Sequence, residues 1–203
     1  MQFFNANSEI EKTQHKLPHW QQREVAIFVT FRLADSLPEE VIEPWLAQRD
    51  AFMAANPPPW DEATEAVYHT CFCDKLDEYL DAGHGCCALG DREAAQIVAD
   101  RFHHFNNQRY GLWSFVVMPN HAHVLFTLGG GVSLPDTLQG WKGVSSRFIH
   151  KSGLCDLNPF WQPDYFDRLI RSREHFETVR AYIRDNPAKA KLKAGSFLLW
   201  ERS

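Results

Sequence analysis

Apolar residues recur along the chain with two periods, one typical of strands and one typical of helices. Residues 25–33 are rich in β-branched and aromatic side chains, and Ile27, Val29, Phe31 and Leu33 recur at every second position. A period of two is typical of a strand that has one face on the core. We therefore predict a first strand here, with these four side chains on its core face.

Further along the chain, helical spacing of apolar residues alternates with short β-branched or aromatic runs. In order these predict a helix at 89–106, strands at 110–117 and 121–128, a helix at 135–151, an extended segment at 160–171 and a last helix from 172. Ser172 is a suitable N-cap, and Pro187 predicts that the helix ends near Asn186. The order strand, helix, strand, strand, helix, strand predicts an α+β, ferredoxin-like split βαβ sandwich with an antiparallel sheet.

Residues 36–86 interrupt this order and predict an inserted helical arm. Two helical patterns, at 38–57 and 62–80, flank a proline-rich breaker, and residues 38–85 hold 11 acidic and 2 basic residues. The arm is too short for a secure core of its own. We therefore interpret residues 1–203 as a single domain with a polar lead-in and an acidic helical insertion.

Composition narrows the class of protein. Among the 203 residues, 44% are hydrophobic, which is enough for a packed core, and no apolar run is long enough to span a bilayer. The N-terminus has neither a basic start nor a continuous apolar stretch, so we expect no signal peptide and no membrane partner. Five cysteines, an odd number, are typical of reduced thiols and predict a cytoplasmic protein.

The net charge of -5 argues against a nucleic-acid partner until its distribution is considered. Residues 140–203 contain 12 Lys and Arg against 7 Asp and Glu, a balance of +5, whereas residues 1–139 contain 9 against 19, a balance of -10. A basic segment beside an acidic insertion can still present a positive surface to a phosphate backbone. The alternative is that this charge belongs to an ordinary solvated helix surface.

Two histidines stand two residues apart in the apolar run 116–126, whose sequence is VVMPNHAHVLF. In a strand, His121 and His123 point to the same face, and Ala122 points to the other. Two adjacent imidazoles provide half of a divalent-metal site. The alternative is a pair of unrelated histidines on a solvated face, which the apolar flanking residues disfavour.

Tyr182 and Asn186 lie four residues apart on the predicted last helix and therefore share one face. If that face meets a cation held by His121 and His123, Asn186 supplies a third ligand and Tyr182 a nucleophile. A tyrosine hydroxyl can attack a phosphodiester and form a covalent intermediate, which stores the energy needed for religation. Alternatively, Tyr182 packs on the core and Asn186 only ends a helix.

Three segments, MPNHAHVLF, FWQPDYFDRLIRSREHF and VRAYIRDNPAKAKL, occur in this order. Together they resemble the single-tyrosine HUH transposases, and most closely the REP-associated tyrosine transposases. The resemblance implies that His121 and His123 bind the metal, that Tyr182 is the catalytic tyrosine, and that Asn186 stands where relatives often carry Gln. It also implies Mg²⁺ or Mn²⁺ as cofactor, single-stranded or hairpin DNA as partner, and a homodimer in which the tyrosine helix can be exchanged.

Several other residues carry candidate roles in this reading. We expect five side chains to contact DNA, although they also suit a solvated surface or a strand support: Lys142, Arg147, Gln162, Arg168 and Arg171. Tyr165 is a competing nucleophile, ranked second because no amide follows it by one helical turn. The cysteines and histidines between 69 and 87 do not have regular zinc spacing, so we favour buried thiols over zinc.

The function predicted from the sequence is a metal-dependent single-strand DNA transposase and nickase. It cleaves and rejoins palindromic-repeat hairpins through a 5′-phosphotyrosine and frees a 3′-hydroxyl. One alternative is a domesticated hairpin-binding protein that does not cleave. Another is a metal-dependent phosphodiesterase that uses water as its nucleophile.

Overall fold

A computed structural model describes residues 2–5, 11–14, 18–57 and 60–203. Its strands are β1 (Glu11–Gln14), β2 (Pro18–Gln21), β3 (Ala26–Arg32), β4 (Tyr110–Val117), β5 (His121–Leu128), β6 (Phe166–Leu169) and β7 (Leu198–Glu201). The α-helices are α1 (Glu39–Ala55), α2 (Glu62–Tyr68), α3 (Lys75–Asp81), α4 (Arg92–His104), α5 (Leu134–Lys151) and α6 (Arg173–Lys189). A π-helix at His69–Asp74 joins α2 to α3, and a 3-10 turn at Ala88–Gly90 precedes α4.

The central sheet has five antiparallel strands in the order β6-β3-β5-β4-β7. Its first four strands have the order of a split βαβ sandwich, in which each helical crossover skips one strand. The predicted α+β fold is therefore confirmed. The edge strand β7 was not predicted, because its sequence LLWE has no alternation and all four side chains are only partly buried.

Both faces of this sheet are covered by helices. On one face, the predicted core residues Ile27, Val29, Phe31 and Leu33 are almost completely buried against α4 and α5. On the other face, α6 packs over a second apolar cluster that consists of Ala26, Val116, Met118, Leu125, Ile170, Phe176, Val179 and Ile183. Side chains on the second face of β3 and β5 are therefore enclosed between the sheet and α6, the helix that carries Tyr182.

The N-terminal segment was predicted as a polar lead-in, but it contains the pair β1 and β2, which form a separate antiparallel sheet. Their sequences, EKTQ and PHWQ, lack the β-branched alternation that signals a strand. The two strands form through contact with each other, and neither sequence alone has a pattern that predicts a strand.

The acidic insertion forms helices α1 to α3 around a small apolar cluster of Leu37, Trp45, Phe72, Leu76 and Leu80. Phe166 of β6 packs against this cluster, so the arm rests on the edge of the central sheet. The single helix predicted at 62–80 is interrupted, because the wide π turn holds an additional residue and shifts the helical register between α2 and α3.

The two ends of the insertion meet at Asp35 and Gly85. The Cys86 backbone N–H donates to Asp35 Oδ2 at 2.7 Å. Gly85 has a φ of +86°, and a Cβ there would lie 2.6 Å from the backbone oxygen of Asp35. This closure therefore requires glycine both for its backbone conformation and for its space.

Replacing Gly85 by Ala should lower the free energy of unfolding by about 2–4 kcal/mol, since backbone strain adds to a clash that backbone atoms cannot easily relieve. Urea denaturation measures the change. Gly83→Ala is the control, because Gly83 has a φ of +72° with nothing within 4 Å of an added Cβ. Gly83→Ala should lower the free energy of unfolding only by the backbone strain, about 1–2 kcal/mol. Equal costs for the two variants would argue against the clash.

Helix α6 begins as predicted but ends later. The Ser172 side chain accepts a hydrogen bond from the His175 backbone N–H at 3.0 Å, which confirms the N-cap. The predicted end near Asn186 is wrong, because Pro187 lies inside the helix. Proline removes one donor, and the last turn continues as Ala190 N–H donates to the Asn186 carbonyl at 3.0 Å.

Within the described residues, no helix combines the length and the apolar character needed to cross a membrane.

Candidate active site

Strand β5 places His121 and His123 side by side beneath α6. Both side chains have no solvent exposure. Their Nε2 atoms lie 3.1 Å apart, and the two rings are nearly perpendicular, at 78°. The two imidazoles therefore direct their Nε2 atoms at one point, as the alternation of the strand predicts.

Asn120 fixes the orientation of His121. The Asn120 amide nitrogen donates to the carbonyls of Leu80 at 3.0 Å and His84 at 3.2 Å, so its oxygen faces His121. That oxygen lies 2.7 Å from His121 Nδ1 and can only accept a hydrogen bond. His121 therefore carries its proton on Nδ1 and presents an Nε2 lone pair to its neighbour.

Thr30 of β3 contacts Nδ1 of His123, as Asn120 contacts Nδ1 of His121. The register pairs the two residues across the sheet, and Thr30 Oγ1 lies 2.7 Å from His123 Nδ1. Phe28 stacks on the His123 ring with centroids 5.5 Å apart and an interplanar angle of 19°. These contacts hold His123 Nε2 toward His121 and α6.

Burial keeps both imidazoles uncharged. It lowers the pKa of His121 to about 3. Burial and the neighbouring His121 lower the pKa of His123 well below its usual value. The two histidines are therefore neutral at pH 7, which is the protonation state that can ligate a metal.

This burial makes stability depend on pH. The pKa of His121 falls from 6.5 to about 3 on folding, so between these values the unfolded chain binds more protons than the folded chain. Acidification through this window should lower the free energy of unfolding by up to about 1.4 kcal/mol per pH unit for His121. Chemical denaturation at several pH values measures this slope. His121→Gln should have a shallower slope, and an unchanged slope would contradict the assignment.

Helix α6 brings Tyr182 and Asn186 to the same imidazole. Tyr182 Oη and Asn186 Nδ2 each lie 3.5 Å from His123 Nε2. Asn186 is 1% exposed, and its Oδ1 has no hydrogen-bond partner within the described part of the chain. The sequence predicted this grouping, and the structure brings these four side chains together within one chain.

The donor set fits a divalent cation. Two imidazole Nε2 atoms directed at one point and a buried amide oxygen without a partner are the kinds of ligand that such a cation accepts. Among the described residues, no group of three or more His, Cys, Asp or Glu is arranged to hold a metal. A cation here would therefore rely on His121, His123 and the Asn186 amide.

Asp77 also belongs to this site, although no pattern in the sequence predicted its role. Tyr182 Oη donates a hydrogen bond to Asp77 Oδ2 at 2.5 Å. Asp77 lies on α3 of the insertion, 105 residues from Tyr182, and is one of many acidic residues there. No motif distinguishes it, so only the fold reveals that the insertion contacts the candidate nucleophile.

Helix α3 meets α6 at a second point. Burial raises the pKa of Asp81 to about 6, and the charge of Lys189 opposes this rise. The Lys189 Nζ atom lies 5.0 Å from the centre of the Tyr182 ring, a cation–π arrangement. The insertion thus contacts the Tyr182 hydroxyl through Asp77, and its Asp81 interacts with Lys189, the α6 residue that lies over the Tyr182 ring.

Three of the residues predicted to bind DNA do not line the cavity next to Tyr182, namely Lys142, Arg147 and Gln162. Arg147 is exposed on α5. Lys142 donates to the Pro163 carbonyl at 2.7 Å, and burial lowers its pKa to about 8. Gln162 donates its backbone N–H to the Arg32 carbonyl at 2.9 Å. The Lys142 side chain therefore contacts the backbone of its own chain, whereas the Arg147 side chain is available to solvent.

The other two predicted residues lie near β6. Arg168 is paired with Phe28 in the strand register and lines a cavity next to Tyr182. The Arg171 guanidinium lies 4.9 Å from the centre of the Phe4 ring. Arg168 is thus the predicted DNA contact that the structure brings beside the candidate nucleophile.

Tyr165 does not occupy the position of a nucleophile. It is 5% exposed and belongs to the core on the sheet face covered by α4 and α5, opposite to the imidazoles. Burial raises the pKa of its hydroxyl, with a further contribution from Asp167. The structure therefore favours Tyr182 over this competitor.

The expectation of buried thiols is wrong for Cys86, which is exposed, and only partly met by Cys71 and Cys87, which are half-buried. The sulfur atoms of Cys86 and Cys155 lie 3.9 Å apart. The side chain of Cys73 lies outside the described residues.

Residues 92–186 match the family model described as "Transposase IS200 like". No curated protein matches the chain. A solved REP-associated tyrosine transposase bound to a REP hairpin is 17% identical, with a TM-score of 0.44 over 83% of this chain and 69% of that one. A transposase-like protein of Deinococcus radiodurans is 12% identical, with a TM-score of 0.34 over 92% and 98%.

Proposed function

We propose that this chain cuts and rejoins one DNA strand through a covalent phosphotyrosine. The match of residues 92–186 to the family model described as "Transposase IS200 like" supports this proposal. Tyr182 is the nucleophile in this proposal. His121, His123 and Asn186 form a binding site for Mg²⁺ or Mn²⁺. The substrate is single-stranded or hairpin DNA.

One observation carries the proposal: the Tyr182 hydroxyl lies 3.5 Å from an imidazole whose Nε2 is also 3.1 Å from its neighbour. A nucleophile must lie close to the group that activates its target. A phosphodiester oxygen near the two Nε2 atoms would bring its phosphorus within reach of Tyr182. The neutral state of both histidines is consistent with this role.

A divalent cation bound by these three side chains would polarise the phosphodiester and stabilise the charge that develops on it. The protein supplies the orientation of the ligands. Asn120 and Thr30 hold the Nδ1 side of each imidazole, so that both Nε2 atoms stay directed at the same point.

The reaction balances without an external energy source. Tyr182 Oη forms a bond to phosphorus as the bond from phosphorus to the 3′ oxygen breaks. The tyrosine proton passes to Asp77, and a proton then reaches the departing oxygen to give a 3′-hydroxyl. The 5′-phosphotyrosine keeps the energy of the broken bond, and attack by a 3′-hydroxyl reverses these steps.

Hairpin DNA is the substrate that the motif resemblance indicates. The basic balance of residues 140–203 and the exposed Arg147 provide charge that can contact a phosphate backbone. Arg168 provides a cation beside the nucleophile.

A labelled hairpin oligonucleotide with single-stranded flanks tests the function when incubated with the protein and Mg²⁺ or Mn²⁺. On a denaturing gel, a protein-linked band sensitive to protease supports the proposal. Cut DNA without a protein link would instead indicate hydrolysis by water. Tight binding without any cut would indicate a hairpin-binding protein that no longer cleaves.

Replacing Asp77 by Ala should slow formation of the protein–DNA link by about 100-fold, because a positioned proton acceptor contributes about 10²–10⁴ to a rate. The dissociation constant for the hairpin should change little. Single-turnover gels and filter binding separate these two effects.

Glu78→Gln is the matched control, since Glu78 is an exposed neighbour on the same helix. It should react like the unmodified protein. A normal rate for Asp77→Ala would show that the 2.5 Å hydrogen bond does not serve the reaction.

A further inference from the structure

A cavity of about 310 Å³ lies next to the proposed nucleophile. Tyr182 lines it, together with Thr178 and Val179 on the same helix. Phe28 and Thr30 of β3 form a second side, Phe166 and Arg168 of β6 a third, and Leu76 and Asp77 of the insertion close it. The cavity is therefore formed where the central sheet, the tyrosine helix and the inserted arm meet.

The cavity is continuous with the imidazole site. Phe28, one of its walls, stacks on His123 and meets the edge of the Tyr182 ring at 5.9 Å. Thr30, another wall, is the partner of His123 Nδ1. A group that enters the cavity thus lies directly beside the place where a phosphate would meet Tyr182.

We infer that this cavity takes an unpaired nucleobase of the substrate strand, next to the phosphate that Tyr182 attacks. The inference rests on the proposed function, because a phosphodiester at Tyr182 brings its own nucleotide with it. That nucleotide needs space for its base within one residue of the reacting phosphorus.

The chemistry of the walls suits a base. Phe28 and Phe166 are aromatic, and Leu76 and Val179 are apolar, so the walls can pack against the flat faces of a ring. Single-stranded nucleic acids are commonly held by such stacking. The volume lies at the lower end of the range for small-molecule sites, which suits one ring system.

The polar groups favour a base over a phosphate. Asp77 places a carboxylate in the wall, which repels a phosphate but accepts a hydrogen bond from an exocyclic amino group. Arg168 and Thr30 add donors for ring acceptors. The walls thus offer a base both hydrogen-bond donors and an acceptor.

The insertion supplies one wall, and this gives the arm a function. Leu76 and Asp77 belong to α3, whereas every other lining residue belongs to the central sheet, its β6 edge or α6. The acidic arm thus contributes to the choice of nucleotide at the cleavage position, in addition to its contact with the Tyr182 hydroxyl.

Thr178→Trp tests the inference, because Thr178 is exposed on α6 and lines the cavity, so an indole there fills it without changing the core. Glu177→Trp, at the exposed neighbouring position, is the matched control. With each protein, adduct formation is compared between a cleavable hairpin and versions that lack one base on either side of the cut.

With the unmodified protein and Glu177→Trp, loss of the base that occupies the cavity should slow the reaction about 10-fold, because the stacking of that base on the aromatic walls is lost. Thr178→Trp should react about 10-fold more slowly with the complete hairpin and should no longer distinguish the missing base. Equal rates on all hairpins for the unmodified protein would overturn the inference.

A second measurement does not depend on cleavage. Saturation-transfer NMR with the four deoxynucleoside 5′-monophosphates reports which ligand protons contact the protein. Base protons should receive saturation from the unmodified protein and from Glu177→Trp but not from Thr178→Trp. Contact without any covalent adduct would reject the proposed function and keep the cavity assignment, whereas contact retained in Thr178→Trp would reject the cavity assignment.

Discussion

Replacing Tyr182 by Phe should remove the covalent protein–DNA link completely and lower strand cleavage by at least about 1000-fold. The substitution deletes only the hydroxyl that lies 3.5 Å from His123 Nε2 and 2.5 Å from Asp77. The ring keeps its edge contact with Phe28, so the fold and the affinity for hairpin DNA should be retained. Single-turnover gels measure cleavage, and thermal unfolding verifies the fold.

Tyr165→Phe is the control for this prediction. Tyr165 is also a tyrosine near the end of the chain, but it is buried on the opposite face of the sheet. Its variant should form the covalent link at the normal rate. If Tyr182→Phe cleaved normally while Tyr165→Phe did not, the assignment of the nucleophile would be wrong.

Replacing His121 and His123 by Ala together should remove Mn²⁺ binding and lower cleavage by at least about 100-fold. The two side chains supply both nitrogen ligands of the proposed site, and altering even the outer partners of metal ligands costs about 10–100-fold in affinity or activity. Electron paramagnetic resonance of free Mn²⁺ measures binding, and gels measure cleavage.

His104→Ala controls for the loss of an imidazole elsewhere, because His104 is exposed at the end of α4. It should bind Mn²⁺ and cleave like the unmodified protein. Unchanged Mn²⁺ affinity in the double variant would place the cation at other residues and remove the imidazole pair from the reaction.

The central part of the site was predictable because it is encoded locally. Strand alternation puts His121 and His123 on one face, and helical spacing puts Tyr182 and Asn186 on another. The match of residues 92–186 to the family model described as "Transposase IS200 like" agrees with the resemblance that the ordered motifs carry. That resemblance predicted that the two faces meet, because spacing within one element cannot show which elements pack together.

The contact between Asp77 and Tyr182 could not be predicted from the sequence. Asp77 meets Tyr182 only because the insertion folds back over the β6 edge and α6. Glu78 beside Asp77 and Asp81 one turn later carry the same charge, and no pattern in α3 marks one carboxylate as different. Contacts between distant segments depend on the whole fold, and an acidic arm alone predicts only a solvated surface.

The unpredicted strand β7 and the wrongly predicted end of α6 have a similar cause. The edge strand β7 forms by pairing with β4, although its own sequence has no alternation. The last helix continues through Pro187, which is buried, so tertiary packing outweighs a local preference. In both cases the deciding free energy comes from contacts that a local pattern does not contain.

Peptide mapping by mass spectrometry tests the central claim most directly. The protein is incubated with a hairpin oligonucleotide and Mn²⁺, digested with protease and nuclease, and searched for a peptide that carries a nucleotide. We predict one modified peptide, with the nucleotide linked through its 5′ phosphate to Tyr182. A nucleotide on any other residue, or cut DNA with every tyrosine unmodified, would contradict the account.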